Sequence, residues 1–228
     1  MNQTLKILLE CDEKKLENTM LAYLTKIYGE KNIFHIKGHF ILAIGSLPIG
    51  LVAHMDTVVY PKVENIQEVN GIVRARHGLG ADDRAGIFAI IQLLKKGYKP
   101  TVIFTSQEEV GGLGARALSM CVDEIRLKYL IQIDRRGRND AVFYDCPNER
   151  FKKYICGFGF KEEQGIYSDI SFLCPEWDIA GVNVSAGYFY EHTDKEILNL
   201  EYLNETINKI EQMLKDERKS DYWNYWEI

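Results

Sequence analysis

Five short segments hold the residue types that can do chemistry, in a regular order along the chain: His54-Met55-Asp56-Thr57, Ala81-Asp82-Asp83-Arg84, Gln107-Glu108-Glu109, Ile133-Asp134-Arg135 and Glu191-His192-Thr193. Imidazole nitrogens and carboxylate oxygens are ligands for divalent cations such as zinc. In an extended segment, residues two apart face the same way. Asp56 can therefore stand behind His54 and hold its far ring nitrogen, which fixes the tautomer of a ligating imidazole. Asp82, with both oxygens free, could join two cations, and Arg84 could pair with a nearby acid. Two adjacent glutamates at the mouth of a sheet repel one another when both are ionised. If one of Glu108 and Glu109 ligates a cation, the other can take a proton from water and return it to a leaving group. Each segment also has an ordinary explanation. Asp82-Asp83 could cap a helix, the glutamates could lie on a solvated loop, and His54, Asp56, Asp134 and His192 could make surface hydrogen bonds. All five together, in this order and at strand ends, point to metal-assisted hydrolysis.

The elements needed to position these residues can be read from hydrophobic spacing. Leu16 to Tyr28 has the helical period, and Ile33–Ile36 and Phe40–Ile44 read as strands joined at Gly38-His39. The continuous apolar run Ile49–Ala53 suits a strand buried on both faces and ends at His54. Residues Val63–Val69 and Ile72–Ala75 form a hairpin pattern turned at Asn70-Gly71. Ala85–Lys96 reads as a helix stopped by Gly97. Thr101–Thr105 and Tyr129–Ile133 are further buried strands, which lead into Glu108-Glu109 and Asp134. A short helix is expected over Gly114–Met120, a strand over Ala141–Tyr144, a helix near Asn148–Cys156 and a strand over Ile179–Val184. A last helix is expected over Lys195–Leu214, with Thr193 and Glu196 as its capping box. Strands alternating with helices imply an α/β fold with a largely parallel sheet, and such sheets gather ligands at the carboxyl ends of their strands.

Composition narrows the field. The chain has 228 residues, 46% hydrophobic and 27% charged, enough for one substantial core, and a net charge of −5. That balance, with only short basic clusters such as Arg135-Arg136-Gly137-Arg138, argues against a nucleic-acid partner. The five scattered cysteines, Cys11, Cys121, Cys146, Cys156 and Cys174, suit reduced thiols. No apolar run is long enough to span a bilayer, and the first residues lack the signal-peptide pattern. A cytoplasmic protein without a membrane partner is expected. Ser46, Ser106 and Ser168 have no nucleophile-elbow context. His35 and His39 read as structural, and His77 as a candidate for the pocket rim. The aromatic Tyr222-Trp223-Asn224-Tyr225-Trp226 suits either a subunit contact or a core-packing tail.

The segments LVAHMDTV, GLGADDRAG, TSQEEVGG, IQIDRRG and EHTDKE resemble the motifs of the co-catalytic dinuclear zinc exopeptidases (clan MH). That group includes peptidase T and acetylornithine deacetylase relatives, bacterial leucyl aminopeptidases and tetrahedral aminopeptidases. The matching segments run from residue 51 to residue 196, and the set is far more specific than any one motif. The resemblance implies a three-layer α/β sandwich with a mostly parallel, mixed central sheet. It implies two zinc ions, or cobalt or manganese in their place. His54 and Asp134 would hold one ion, Glu109 and His192 the other, and Asp82 would bridge them. Glu108 would be the general base and Asp56 the support behind His54. A cis peptide between Asp82 and Asp83 is expected on the same ground, and Ser168-Asp169 resembles a motif that shapes the pocket in several relatives.

The intervals are short for this group. Only 26 positions separate Asp56 from Asp82, and 58 separate Asp134 from His192. Neither leaves room for the domains that relatives insert there, so residues 1–228 are expected to form one catalytic domain without a lid or dimerisation insertion. The implied function is a zinc metallo-exopeptidase acting on a small peptide, most simply an aminopeptidase. A carboxypeptidase or N-acyl amino acid deacylase of the same superfamily is the alternative, with Arg135, Arg136 and Arg138 as carboxylate anchors. A non-catalytic binding module that kept the fold is a further alternative, as is homo-oligomerisation.

Overall fold

The computed structural model describes residues 1–58, 63–216 and 221–227. The chain opens with two helices, α1 (Gln3–Glu10) and α2 (Glu13–Tyr28), capped by Asn2 and Asp12. The hairpin β1 (Ile33–Ile36) and β2 (Phe40–Ala43) follows, then β3 (Leu47–His54). The small hairpin β4 (Gln67–Val69) and β5 (Ile72–Arg74) turns at Asn70-Gly71, and both turn residues have positive φ, as the tight turn requires. Next come α3 (Ala81–Lys95), β6 (Pro100–Thr105), α4 (Leu113–Cys121), β7 (Tyr129–Arg135), β8 (Asp140–Val142) and α5 (Glu149–Cys156). The chain continues through β9 (Lys161–Glu163), α6 (Ile170–Trp177), β10 (Gly181–Ser185), β11 (Tyr188–Phe189), β12 (Ile197–Asn199) and α7 (Leu200–Lys215).

Eight strands form the main sheet in the order β1-β2-β6-β3-β7-β10-β8-β9. The central four, β6, β3, β7 and β10, are mutually parallel, and antiparallel pairs join them to β2 and β8. All four therefore end at the same edge. The fold is mixed α/β with a large, mostly parallel central sheet, as expected. The apolar run of β3 is buried from Ile49 through Ala53, which is the burial on both faces that a parallel sheet imposes. Helix α3 packs on β3 and β7 and is flanked by α1 and α7, while α4 and α6 pack on one another and on sheet strands. Gly86 lets α3 approach β7 closely, since a Cβ there would stand 2.3 Å from the Ile133 carbonyl oxygen. A second sheet, in the order β11-β12-β5-β4, packs against α3 and α7.

The last helix departs from expectation. It begins at Leu200, and Asn199 caps it by accepting from the Glu201 and Tyr202 backbone N–H groups. The expected capping box of Thr193 and Glu196 does not form at this helix. Residues 197–199 instead pair with β5, so ladder hydrogen bonds claim the backbone that the helical period had suggested. The strand of the small hairpin begins at Gln67 and not at Val63. Helices α1 and α6 and the short strands β9 and β11 add to the elements read from spacing. In the aromatic tail, Trp223 and Tyr225 are buried, and the Trp223 backbone bridges Lys128 and Ala180, while Tyr222 and Trp226 are exposed. Among the described residues, no helix is long and apolar enough to cross a membrane.

Candidate active site

The five chemical segments meet at the carboxyl edge of the parallel strands. His54 is the last residue of β3, Glu108 and Glu109 follow β6, and Asp134 lies near the end of β7. Asp82 sits in the first turn of α3, and His192 lies in the loop between β11 and β12. The peptide between Asp82 and Asp83 is cis. Gln107 and His192 both adopt the left-handed conformation, which is uncommon for residues other than glycine and tends to mark functional loops.

Asp82 stands at the centre. One carboxylate oxygen lies 3.0 Å from His54 Nε2, and the other lies 3.1 Å from His192 Nε2. The Asp134 carboxylate comes within 3.4 Å of His54 Nε2, and Glu109 within 2.9 Å of His192 Nε2. Two half-sites result, one of His54, Asp82 and Asp134, the other of Asp82, Glu109 and His192. Asp56 stands behind this layer. Its Oδ1 is 3.3 Å from His54 Nδ1, and its two oxygens accept the backbone N–H groups of Glu108 and Glu109 at 3.1 and 3.0 Å. One buried carboxylate thus orients the first imidazole and shapes the turn that presents both glutamates.

Electrostatics set the character of the site. Burial, and then the neighbouring Asp134, push the Glu108 carboxyl up to about 9. Burial pushes Asp134 up to about 7, with His54 pulling the other way. Burial opposes charge on His54, but Asp134, Asp56 and Asp82 raise it well above its ordinary value. Hydrogen bonds to Asp82 and Glu109 raise His192 to about 10. Burial works against an ionised Asp82, yet its bonds to His192 and His54 hold it below the usual carboxylate range. Buried like charges with two imidazoles among them form a donor set of nitrogen and oxygen that a divalent cation relieves. Groups of three such donor atoms lie mutually within 4.8 Å, including Asp82, Glu109 and His192. The residues present therefore fit a divalent metal.

Several contacts here were not legible in sequence. The Tyr188 hydroxyl donates to Asp134 Oδ1 at 3.0 Å, and Gln132 Nε2 donates to Asp134 Oδ2 at 3.1 Å. Gln132 lies two residues before Asp134 on one strand, so a same-face argument could have found it; Tyr188 has no local signal. Asp83 accepts from the backbone N–H groups of Gly86 and His54, tying the helix start to the end of β3. Asp169 is buried beneath the site and accepts from Thr105 and from Gln132. Arg84 is fully buried and donates to the carbonyls of Met55 and Cys11, where the sequence had suggested a carboxylate partner. His77 is exposed and does not line the cleft. His35 is bonded to Glu17, and His39 lies beside Gln107. An open cleft of about 380 Å³ leads to Asp82, Glu108, Glu109, Asp134 and His192, with Arg135, Arg136 and Tyr167 on its walls.

Residues 51–149 match the model of the M42 glutamyl aminopeptidase family. No curated protein matches the chain. Among solved structures, the chain is similar to the aminopeptidase PepT from Bacillus cereus, at 17% identity, covering 95% of this chain and 97% of that one with a TM-score of 0.69. It is similar to the TET aminopeptidase from a marine sediment archaeon of the Thaumarchaeota, at 14% identity, 93% and 96% coverage and a TM-score of 0.72. It is also similar to the Pyrococcus horikoshii TET1 peptidase, which can assemble into a tetrahedron or a large octahedral shell, at 14% identity, 93% and 98% coverage and a TM-score of 0.68. The M42 match takes in four of the five chemical segments, all but the one that carries His192, and the fold is that of these peptidases.

Proposed function

We propose that this protein is a metallo-aminopeptidase that removes residues from short peptides with two divalent ions, zinc in the first instance and cobalt or manganese as substitutes. The observation that carries the reading is Asp82, whose two oxygens face His54 and His192 at 3.0 and 3.1 Å. His54 and Asp134 would hold one ion, Glu109 and His192 the other, with Asp82 between them. When bound, the ions supply Lewis-acid polarisation of the scissile carbonyl and lower the pKa of water.

The remaining work falls to side chains of this protein. Glu108 lines the cleft beside the ligands; in this reading it takes the proton of the attacking water and delivers it to the leaving amine. Asp56 keeps the His54 ring oriented and holds the Glu108 backbone in place. Tyr188 and Gln132 each engage one oxygen of Asp134 and so fix its direction. Glu108→Gln is expected to keep the metals and to lose about 10²- to 10⁴-fold in turnover. An active Glu108→Gln enzyme would remove Glu108 from this role.

Arg135 and Arg136 line the same cleft, and this favours a second reading, a carboxypeptidase or N-acyl amino acid deacylase that anchors a substrate carboxylate. Both would have to leave acidic partners, Asp140 at 3.7 Å for Arg135 and Glu191 at 3.0 Å for Arg136, whereas Arg138 lies outside the cleft, in a two-pronged pair with Glu205. A panel of aminoacyl anilides, dipeptides and N-acyl amino acids, each with a chelator control, separates the two. A binding module that kept the fold would have lost a donor, and the full set is present. We read residues 1–228 as one catalytic domain, because the intervals between ligands leave no room for an insertion, and we include a homo-oligomer in the reading.

A further inference from the structure

Glu196 is 1% exposed, and its carboxylate reaches across the molecule to the start of α3. One oxygen accepts the backbone N–H groups of Leu79 and Gly80 at 3.1 and 2.6 Å, and the other accepts that of Asp82 at 3.1 Å. The first N–H groups of a helix have no partner within it, and here a side chain 114 positions away satisfies the one belonging to Asp82. The two loops concerned leave adjacent strands of the small sheet. The loop after β5 leads to Asp82, and the loop before β12 carries His192 and Glu196. β5 and β12 are paired, with Ile197 opposite Arg74. The small sheet therefore holds two loops side by side, and Glu196 closes them together within four residues of His192.

We propose that Glu196 is a positioning residue that clasps these two loops and so sets the separation of Asp82 and His192, the ligands shared by the second half-site. The proposal rests on the metallo-aminopeptidase reading for the identity of those ligands. Its physical basis is the number of acceptors. A carboxylate has two equivalent oxygens, and both are in use on backbone donors at the start of α3, where the helix itself offers no acceptor. An amide in the same place has one oxygen and one NH₂, so either Asp82 N–H or the N–H groups of Leu79 and Gly80 would face a donor, and the clasp would be broken on one side.

The test uses metal binding, not turnover. The whole purified protein is stripped with a chelator and titrated with zinc by calorimetry, and with cobalt by absorption. Wild type, Glu196→Gln and Asn148→Ala are compared. Asn148 is buried and caps α5 at the far end of the sheet, where it bonds the tail at Asn224, so its loss destabilises without touching the loops. Glu196→Gln is expected to weaken zinc binding about 10- to 100-fold, the range for partners that orient ligands, and to alter the cobalt spectrum. Asn148→Ala is expected to bind as wild type does. Wild-type affinity in Glu196→Gln, or equal weakening in both variants, overturns the clasp. Hydrogen exchange on the wild type supplies a check that needs no variant: the Leu79, Gly80 and Asp82 amides must be protected before metal is added, and fast exchange there overturns the proposal. A wild type that takes up no divalent ion overturns the metallopeptidase reading together with the clasp. A wild type that loads zinc beside a Glu196→Gln chain that loads it equally overturns the clasp alone.

Discussion

Single residues at this site act through the bonds behind them as much as through the atoms they present. Asp134 shows this most plainly. Each of its oxygens accepts one hydrogen bond, from Tyr188 and from Gln132, and its backbone N–H donates to Asn183. Tyr188 is buried, so nothing replaces its hydroxyl if it is lost. Tyr188→Phe is expected to weaken zinc binding about 10-fold or more, within the range for such partners, while the fold persists because the ring still packs. Zinc titration of the stripped variant measures this, and unchanged affinity would show that Gln132 and Asn183 suffice. Asp56 has a wider reach, since the same carboxylate serves His54 and the two glutamate amides.

Among the elements, α3 is the one on which the site depends. It carries Asp82 at its start and lies against β7, which carries Asp134. Their close approach is possible because residue 86 has no side chain. A Cβ at that position would stand 2.3 Å from the Ile133 carbonyl and 2.5 Å from Asp83 Oδ1. Both contacts are shorter than atoms tolerate, and the first is with backbone, which cannot rotate away. Gly86→Ala is therefore expected to destabilise the protein by about 1–3 kcal/mol, the usual cost of overpacking, despite the better helix propensity of alanine. Chemical denaturation measures it, and an alanine variant as stable as wild type would mean that helix and strand separate without strain.

At the scale of the whole molecule, the gathered charge links stability to metal and to pH. In the metal-free chain, burial raises Glu108 to about 9, Asp134 to about 7, Glu196 to about 7 and Asp169 to about 6, while bonds to Asp82 and Glu109 raise His192 to about 10. Every one of these groups holds its proton more tightly folded than unfolded. Each contribution to stability is complete below the unfolded value and is lost as pH rises through the folded one. Asp82 has the opposite sign, but its effect falls below the ordinary aspartate range and outside this window. Chelator-treated protein is therefore expected to lose thermal stability steadily from about pH 5 to about pH 9. Zinc competes with protons for the same atoms, so its stabilisation should grow across that interval. Melting curves with and without zinc at several pH values test both statements, and a metal-free protein that grows more stable with rising pH contradicts them.

Much of this was present in the order of residues. The apolar runs before His54, Glu108 and Asp134 are long enough to be strands and too apolar for an exposed face, so their burial and parallel pairing followed from hydrophobicity alone. Because parallel strands end on one edge, the convergence of those residues followed as well. Glu196 shows where such reasoning fails. Its spacing from Thr193 satisfies a helix cap, a pattern four residues long, whereas its partners at Leu79, Gly80 and Asp82 lie more than a hundred positions away. Asn199, a few residues on, satisfies the cap just as well locally. Only the pairing of β12 with β5 decides between them, and that pairing joins segments more than a hundred positions apart. The sequence by itself determined which residues could do chemistry and which strands carry them, because burial and period are local properties. The tertiary structure alone decided which buried groups stand behind them, because hydrogen bonds between distant loops leave no periodic trace in the chain.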